Sequence, residues 1–116
     1  MNPSAATQHS LHPDGAGEEV VDPRPQDVLG GRGGAALRHP GNITYRQLVN
    51  LNKNIYTTCL KTEKLKISRS IVSAINEQGG RFLEKKKNCT QIPEVWVNIG
   101  YKKAVEKTSQ ALRVSI

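Results

Sequence analysis

The chain has 116 residues, a formal net charge of +7, 36% hydrophobic residues and only 4% aromatic ones. That length holds one domain, and no apolar stretch approaches the ~20 residues of a membrane helix. Residues 1–26 carry four carboxylates against Arg24, a net −3, while residues 27–116 carry sixteen Lys/Arg against six Asp/Glu, a net +10.

The N-terminus lacks a basic region followed by an apolar run, so no secretory signal is expected and the setting is read as intracellular. Cys59 and Cys89 lie thirty residues apart with no CxxC, a pattern that predicts neither a disulfide framework nor a zinc site. The basic segment attracts polyanions over a Debye length of roughly 8–10 Å. Nucleic acid, an acidic protein and an anionic membrane are the partners such a charge can serve.

Residues 1–26 contain four of the six prolines and no apolar periodicity. Too little apolar surface is available there to offset the entropy of ordering, so a disordered acidic tail is predicted, with a basic domain over 27–116. Order is expected to begin near Asp27, where "DVL" suits a very short strand. Asn42, after Pro40-Gly41, reads as a helix N-cap. From it Tyr45, Leu48, Asn52, Ile55 and Cys59 recur at helical spacing, with Val49 and Tyr56 beside them.

A second helix is predicted from Thr62 or Glu63 to the Gly79-Gly80 stop, with Ile67, Ile71, Ala74 and Ile75 facing inward. "RFL" and "VWVNI" then read as short strands joined by the loop "EKKKNCTQIPE". Their aromatics, Phe82 and Trp96, are expected to bridge sheet and helices in the core. A third helix is predicted from Tyr101 to Arg113, with Tyr101, Ala104, Val105, Thr108, Ala111 and Leu112 inward. Lys102, Glu106, Ser109, Gln110 and Arg113 point outward, with Lys103 at the edge. The predicted fold class is α+β, with three helices packed on a small antiparallel sheet in the order β-α-α-β-β-α.

The run "LGGRGGAALRHPGN" contains Gly31-Arg32-Gly33-Gly34-Ala35-Ala36, a formal match to the dinucleotide fingerprint G-x-G-x-x-A. The context fails, because a three-residue strand precedes it and Arg38-His39-Pro40-Gly41 interrupts before the long helix. A Walker A loop is absent as well. Two readings remain: an anion nest whose glycine N–H groups are joined by Arg32, Arg38 and His39, or a crossover in which glycines let the chain pass tightly under a helix.

No Cys/His or Ser/His/Asp arrangement has supporting context, so neither an enzyme nor a cofactor or metal is expected. Binding is better supplied. Lys102, Lys103, Ser109, Gln110 and Arg113 are side chains that reach phosphates and base edges from a helix, and the Lys85-Lys86-Lys87 loop suits a basic wing beside it.

"DVLGGRGG", "RHPGN", "GGRFL" and "EKTSQALR", in that order, resemble the signature of a diatom-rich family of unknown function, over about residues 26–113. Members of that family usually carry a cysteine where this chain has Gly30 and an acidic residue where it has Tyr101. The second departure removes a charge from the start of the third helix. The resemblance implies a module carried in varied proteins and no mechanism. It directs attention to Arg32, Arg38, His39, Asn42, Arg81, Lys107, Ser109, Gln110 and Arg113, and Lys107 is expected to pair with a carboxylate such as Asp27.

The functional expectation is a small basic nucleic-acid-binding module, DNA foremost, in gene regulation, with the nucleus as its natural location. The alternative is a protein–protein interaction module that recognises an acidic or phosphorylated partner.

Overall fold

The computed structural model describes residues 13–31 and 33–114. Two short strands come first, β1 (Glu19–Val20) and β2 (Val28–Leu29), followed by a five-residue helix α1 (Gly34–Arg38). The long helices α2 (Pro40–Thr58) and α3 (Lys61–Glu77) precede β3 (Phe82–Lys85) and β4 (Trp96–Asn98), and α4 (Gly100–Arg113) closes the chain. The class is α+β, as the sequence predicts. Two elements are additions: α1 within the glycine run, and β1 within the segment read as a disordered tail.

The sheet runs in the order β1-β4-β3-β2. β1 and β3 pair antiparallel to β4, but β2 pairs parallel to β3, with Val28 opposite Phe82 and Leu29 opposite Leu83. The sheet is therefore mixed rather than antiparallel. The cause is topological: the α2–α3 hairpin intervenes between β2 and β3 and returns the chain to the same end of the sheet.

Helices α2, α3 and α4 pack on one another and on one face of the sheet, around Val28, Tyr45, Val49, Tyr56, Ile71, Val72, Ile75, Phe82, Ala104, Val105 and Leu112. The Tyr45 and Phe82 rings meet edge to face, 5.4 Å apart. Helix α2 buries Tyr45, Val49 and Tyr56, and this corrects the predicted stripe, because Ile55 is 57% exposed. The Tyr56 phase wins because α3 and α4 both approach α2 from that side. Helix α3 stops at Gly79, whose φ of +85° is left-handed, with Gly80 N–H donating to Ile75 O at 3.0 Å.

Successive strand residues face opposite sides of a sheet. Phe82 lies in the helical core, whereas Leu83 joins Val20 and Trp96 in a second, smaller cluster with Leu29 against it. Trp96 thus packs away from the helices, contrary to the expectation. β1 makes this possible, since Val20 pairs with Trp96 across the ladder.

A buried polar knot lies where the chain enters β2 and β3. Asp27 is fully buried, and its carboxylate accepts from Arg81 Nη2 at 2.8 Å and Nε at 3.2 Å, and from the backbone N–H of Arg24 and Arg81 at 2.7 and 2.8 Å. Burial opposes ionisation of Asp27, but the Arg81 hydrogen bond, the two backbone N–H groups and the guanidinium charge outweigh it and hold the carboxyl below its ordinary value. Asp27 is therefore Arg81's partner, and the expected Lys107 pairing is not formed.

Asn42 is likewise reassigned. The α2 N-cap is His39, in extended backbone with Pro40 at the first helical position. The Asn42 side chain instead donates to Leu29 O and accepts from Leu29 N–H, both at 2.7 Å, so that it completes the free edge of β2.

The close approaches that require glycine lie at Gly41 and Gly80. A methyl on Gly41 would run into the Asp27 carbonyl oxygen, and one on Gly80 into that of Gln26. The crossover thus exists, but it runs under Gly41 and Gly80 rather than Gly30 to Gly34.

Asp27→Asn leaves the Arg81 charge with only the more exposed Glu18 as counterion, and urea unfolding is expected to show a loss of about 3 kcal/mol. Because the folded carboxyl titrates below 3.8, its contribution is complete above that pH and is lost as pH falls from 3.8 through the folded value. The acid limb of a stability profile should flatten in the variant. Gly41→Ala is expected to cost about 3 kcal/mol or more by overpacking against backbone, read by the same unfolding assay.

Candidate functional site

The basic residues singled out in the sequence fall in three places. The first is a groove of about 540 Å³ between the β3–β4 hairpin and the start of α4, whose charged lining is Lys85, Lys86, Lys87, Lys102 and Lys103 together with Asp14 and Glu84. Two segments some fifteen residues apart are thus brought to one surface. Lys85 is the last residue of β3, still paired with Trp96, and Lys86 and Lys87 follow it, all three exposed. The α4 lysines fall on the solvent side of an amphipathic helix that buries Ala104, Val105, Thr108 and Leu112.

Carboxylates answer some of this charge. Lys86 Nζ lies 2.8 Å from Glu19 and Lys85 Nζ lies 2.9 Å from Glu94. The Glu19 contact raises the Lys86 pKa. Both pairs are solvent-exposed, and such pairs contribute about 0–1 kcal/mol, so a denser anion can displace them. Among the described residues, Lys87, Lys102 and Lys103 take part in no ion pair.

The start of α4 explains how the chain tolerates Tyr101. Asp14 Oδ2 accepts from the Tyr101 N–H, while Asp14 Oδ1 accepts from Ala16 N–H at 3.1 Å. The carboxylate that stabilises a helix N-terminus is supplied from 87 residues upstream. Gly100, at φ +82°, permits this docking, since a Cβ there would collide with Ala16. Tyr101 itself points outward at 37% exposure rather than into the core.

The second place is the far end of α4, about 16 Å from Lys102 at 1.5 Å per residue. Arg113 and Ser109 line a hollow with Tyr56, Lys61, Lys64 and Leu65. Lys64 Nζ sits 5.0 Å from the Tyr56 ring centroid, a cation–π contact. Ser109 is half-buried and its hydroxyl shares a 2.7 Å hydrogen bond with Ser68, whereas Gln110 and Arg113 are exposed. Lys61 and Lys64 were not anticipated. Their signal was legible only as a face of α3, and the packing of α3 on α4 turns that face toward Arg113.

The third place is the glycine run. His39 Nε2 lies 2.9 Å from Arg24 O, which ties the α2 cap to the strand-entry segment. Arg38 is exposed and packs its guanidinium back over Gly34. Arg32 lies outside the described residues. Gly31 and Gly33 adopt φ values of +116° and +111°, and a Cβ at either would meet nothing within 4 Å. The far end of α4 stands apart from the other two, whereas the glycine run meets the end of β3 in a further hollow of about 320 Å³ lined by Gly30, Gly31, Ala35, Ala36, Glu84 and Lys85.

Among the described residues, no helix is long and apolar enough to cross a membrane. The architecture is that of a small α+β domain whose three long helices cover one face of a four-stranded mixed sheet. A family model described as a domain of unknown function, DUF6824, matches residues 27–114, and the chain belongs to that family. No curated protein and no solved structure shows significant similarity to it. The match opens at Asp27, so β1 and the Asp14 cap stand outside it.

Replacing Ser109 by alanine removes the Ser68 bond, and a loss of about 1 kcal/mol in thermal or urea unfolding is expected.

Proposed function

We propose that the domain binds nucleic acid, DNA foremost, by seating the phosphate backbone in the lysine groove. The observation that carries this reading is the convergence of Lys85, Lys86, Lys87, Lys102 and Lys103 on one groove. Phosphate contacts supply most of the affinity of such complexes and position the protein on the duplex. Further along the exposed face of α4, beyond Glu106, Gln110 and Arg113 carry the donors and acceptors that base edges require. Ser109 contributes to the fold of this surface, because its hydroxyl is engaged with Ser68. A regulatory role in the nucleus, in a diatom-type module, belongs to the same reading.

A second reading is supported by the hollow at the far end of α4. There Lys61, Lys64 and Arg113 surround Tyr56 and Leu65, a mixture of charge and apolar surface that suits an acidic or phosphorylated peptide.

The two separate in one experiment on the full chain. Mixed-sequence duplex and single strands are titrated across a salt series, and log K should fall by about 0.9 per phosphate contact on the duplex. Converting Lys87, Lys102 and Lys103 to glutamine should lower that slope by about 0.9 for each lysine lost. Absence of binding at low salt removes the nucleic-acid reading. An acidic peptide bound instead, and weakened by Lys64→Gln, replaces it with the second.

A further inference from the structure

The glycine run and the helices below it border an open hollow of about 220 Å³ beside β2, lined on its polar side by Gly31, Asn42, Tyr45, Arg46 and Lys107. We infer that this hollow binds one tetrahedral oxyanion, inorganic phosphate or the phosphate of a small phosphomonoester. The site goes beyond the polymer-binding groove, since it lies on the opposite edge of the sheet and shares no lining residue with it.

The argument rests on which hydrogen-bonding groups are already committed. Asn42 spends its amide on both backbone groups of Leu29. The Tyr45 hydroxyl pairs with Thr108 Oγ1 at 3.0 Å. One guanidinium nitrogen of Arg46 donates to Leu37 O at 2.7 Å, which holds the side chain at the rim and leaves its other N–H groups available. Lys107 is half-buried and, among the described residues, has no ion pair or hydrogen bond of its own. The uncommitted side-chain groups on the hollow are therefore cationic donors, and no carboxylate lines it.

A half-buried ammonium gains most from an anionic partner. The nearby Glu84 packs its Cγ against Gly30, on the same side as the Lys107 ammonium, yet forms no ion pair with it. Position is also prearranged. Tyr45 and Thr108 are bonded to each other, and their chain neighbours Arg46 and Lys107 come from two helices locked by that contact. On the loop side, Gly31 carries no side chain to block entry.

The hollow is open to solvent on one side and has room for a phosphate with part of its hydration. It is smaller than the roughly 300–1,000 Å³ clefts that take nucleotide- or drug-sized molecules.

The test uses the full chain and inorganic phosphate at constant ionic strength, followed by amide NMR shifts, with phosphoserine as a second arm. One saturable site is expected, with shifts centred on residues 29–31, 46 and 107. Lys107→Gln and Arg46→Gln should each weaken it about tenfold, the equivalent of one charge-assisted bond. Lys107→Arg, which keeps both charge and packing, should retain it, and so guards against a variant that merely unfolds.

Tighter binding of phosphoserine identifies the ligand as an esterified phosphate, and preference for inorganic phosphate identifies the free ion. A linear, unsaturable response to both anions, or full binding by Lys107→Gln, overturns the site. Duplex affinity of Lys107→Gln should equal that of the wild type, so this proposal and the lysine-groove reading fail separately.

Discussion

The Asp27–Arg81 pair is the constraint on which the rest of the fold depends. A carboxylate with no solvent exposure can remain ionised only if every lone pair is answered, and here four N–H contacts do so. The arrangement joins residue 24, the start of β2 and the start of β3 at a single point. It thereby sets the parallel register of β2 against β3, from which the position of the glycine run follows. Arg81 also reaches Glu18 at 3.3 Å, so the same guanidinium connects to the segment carrying β1.

Around that point the backbone is threaded at van der Waals limits. Gly41 lets the first turn of α2 rest on the Asp27 carbonyl, and Gly80 lets the end of α3 rest on that of Gln26. Gly41 N–H donates to Pro25 O at 2.8 Å, so the approach is bonded as well as close. The acidic N-terminal segment then completes the domain in two ways: Val20 extends the sheet over Trp96, and Asp14 caps α4. Its negative charge is thus put to structural use against the basic domain. That leaves the lysines of the hairpin tip and the first turn of α4 concentrated at one surface.

How much was legible follows from the range of each interaction. The α+β class, the two long helices, the Gly79 stop and the two strands of the hairpin rest on apolar period and turn chemistry within a dozen residues. Those were readable. Ile55, Trp96 and Tyr101 went the other way because their burial depends on which neighbour packs against them. Asn42 has the identity of a cap and the sequence position of one. What removed it from that role is the unpaired edge of β2, a partner thirteen residues earlier. The candidate site shows the same division. Charge and lysine clustering were visible in the chain, whereas the separation of Lys102 from Arg113, and the burial of the Ser109 hydroxyl against Ser68, were not.

By itself the sequence determined the class of fold, the helical and strand periods, the strong positive balance of residues 27–116 and the absence of a nucleotide fingerprint's context around Gly31. Each of these is a local or compositional property, settled by neighbours in the chain. Only the tertiary structure decided that Asp27 belongs to Arg81, that β2 runs parallel to β3, that five lysines share a groove, and that Arg46 and Lys107 flank one hollow. Those relations join residues 15 to 61 positions apart. A buried charge, an open sheet edge or a half-buried ammonium takes whichever partner packing brings within reach, and packing is a property of the whole chain.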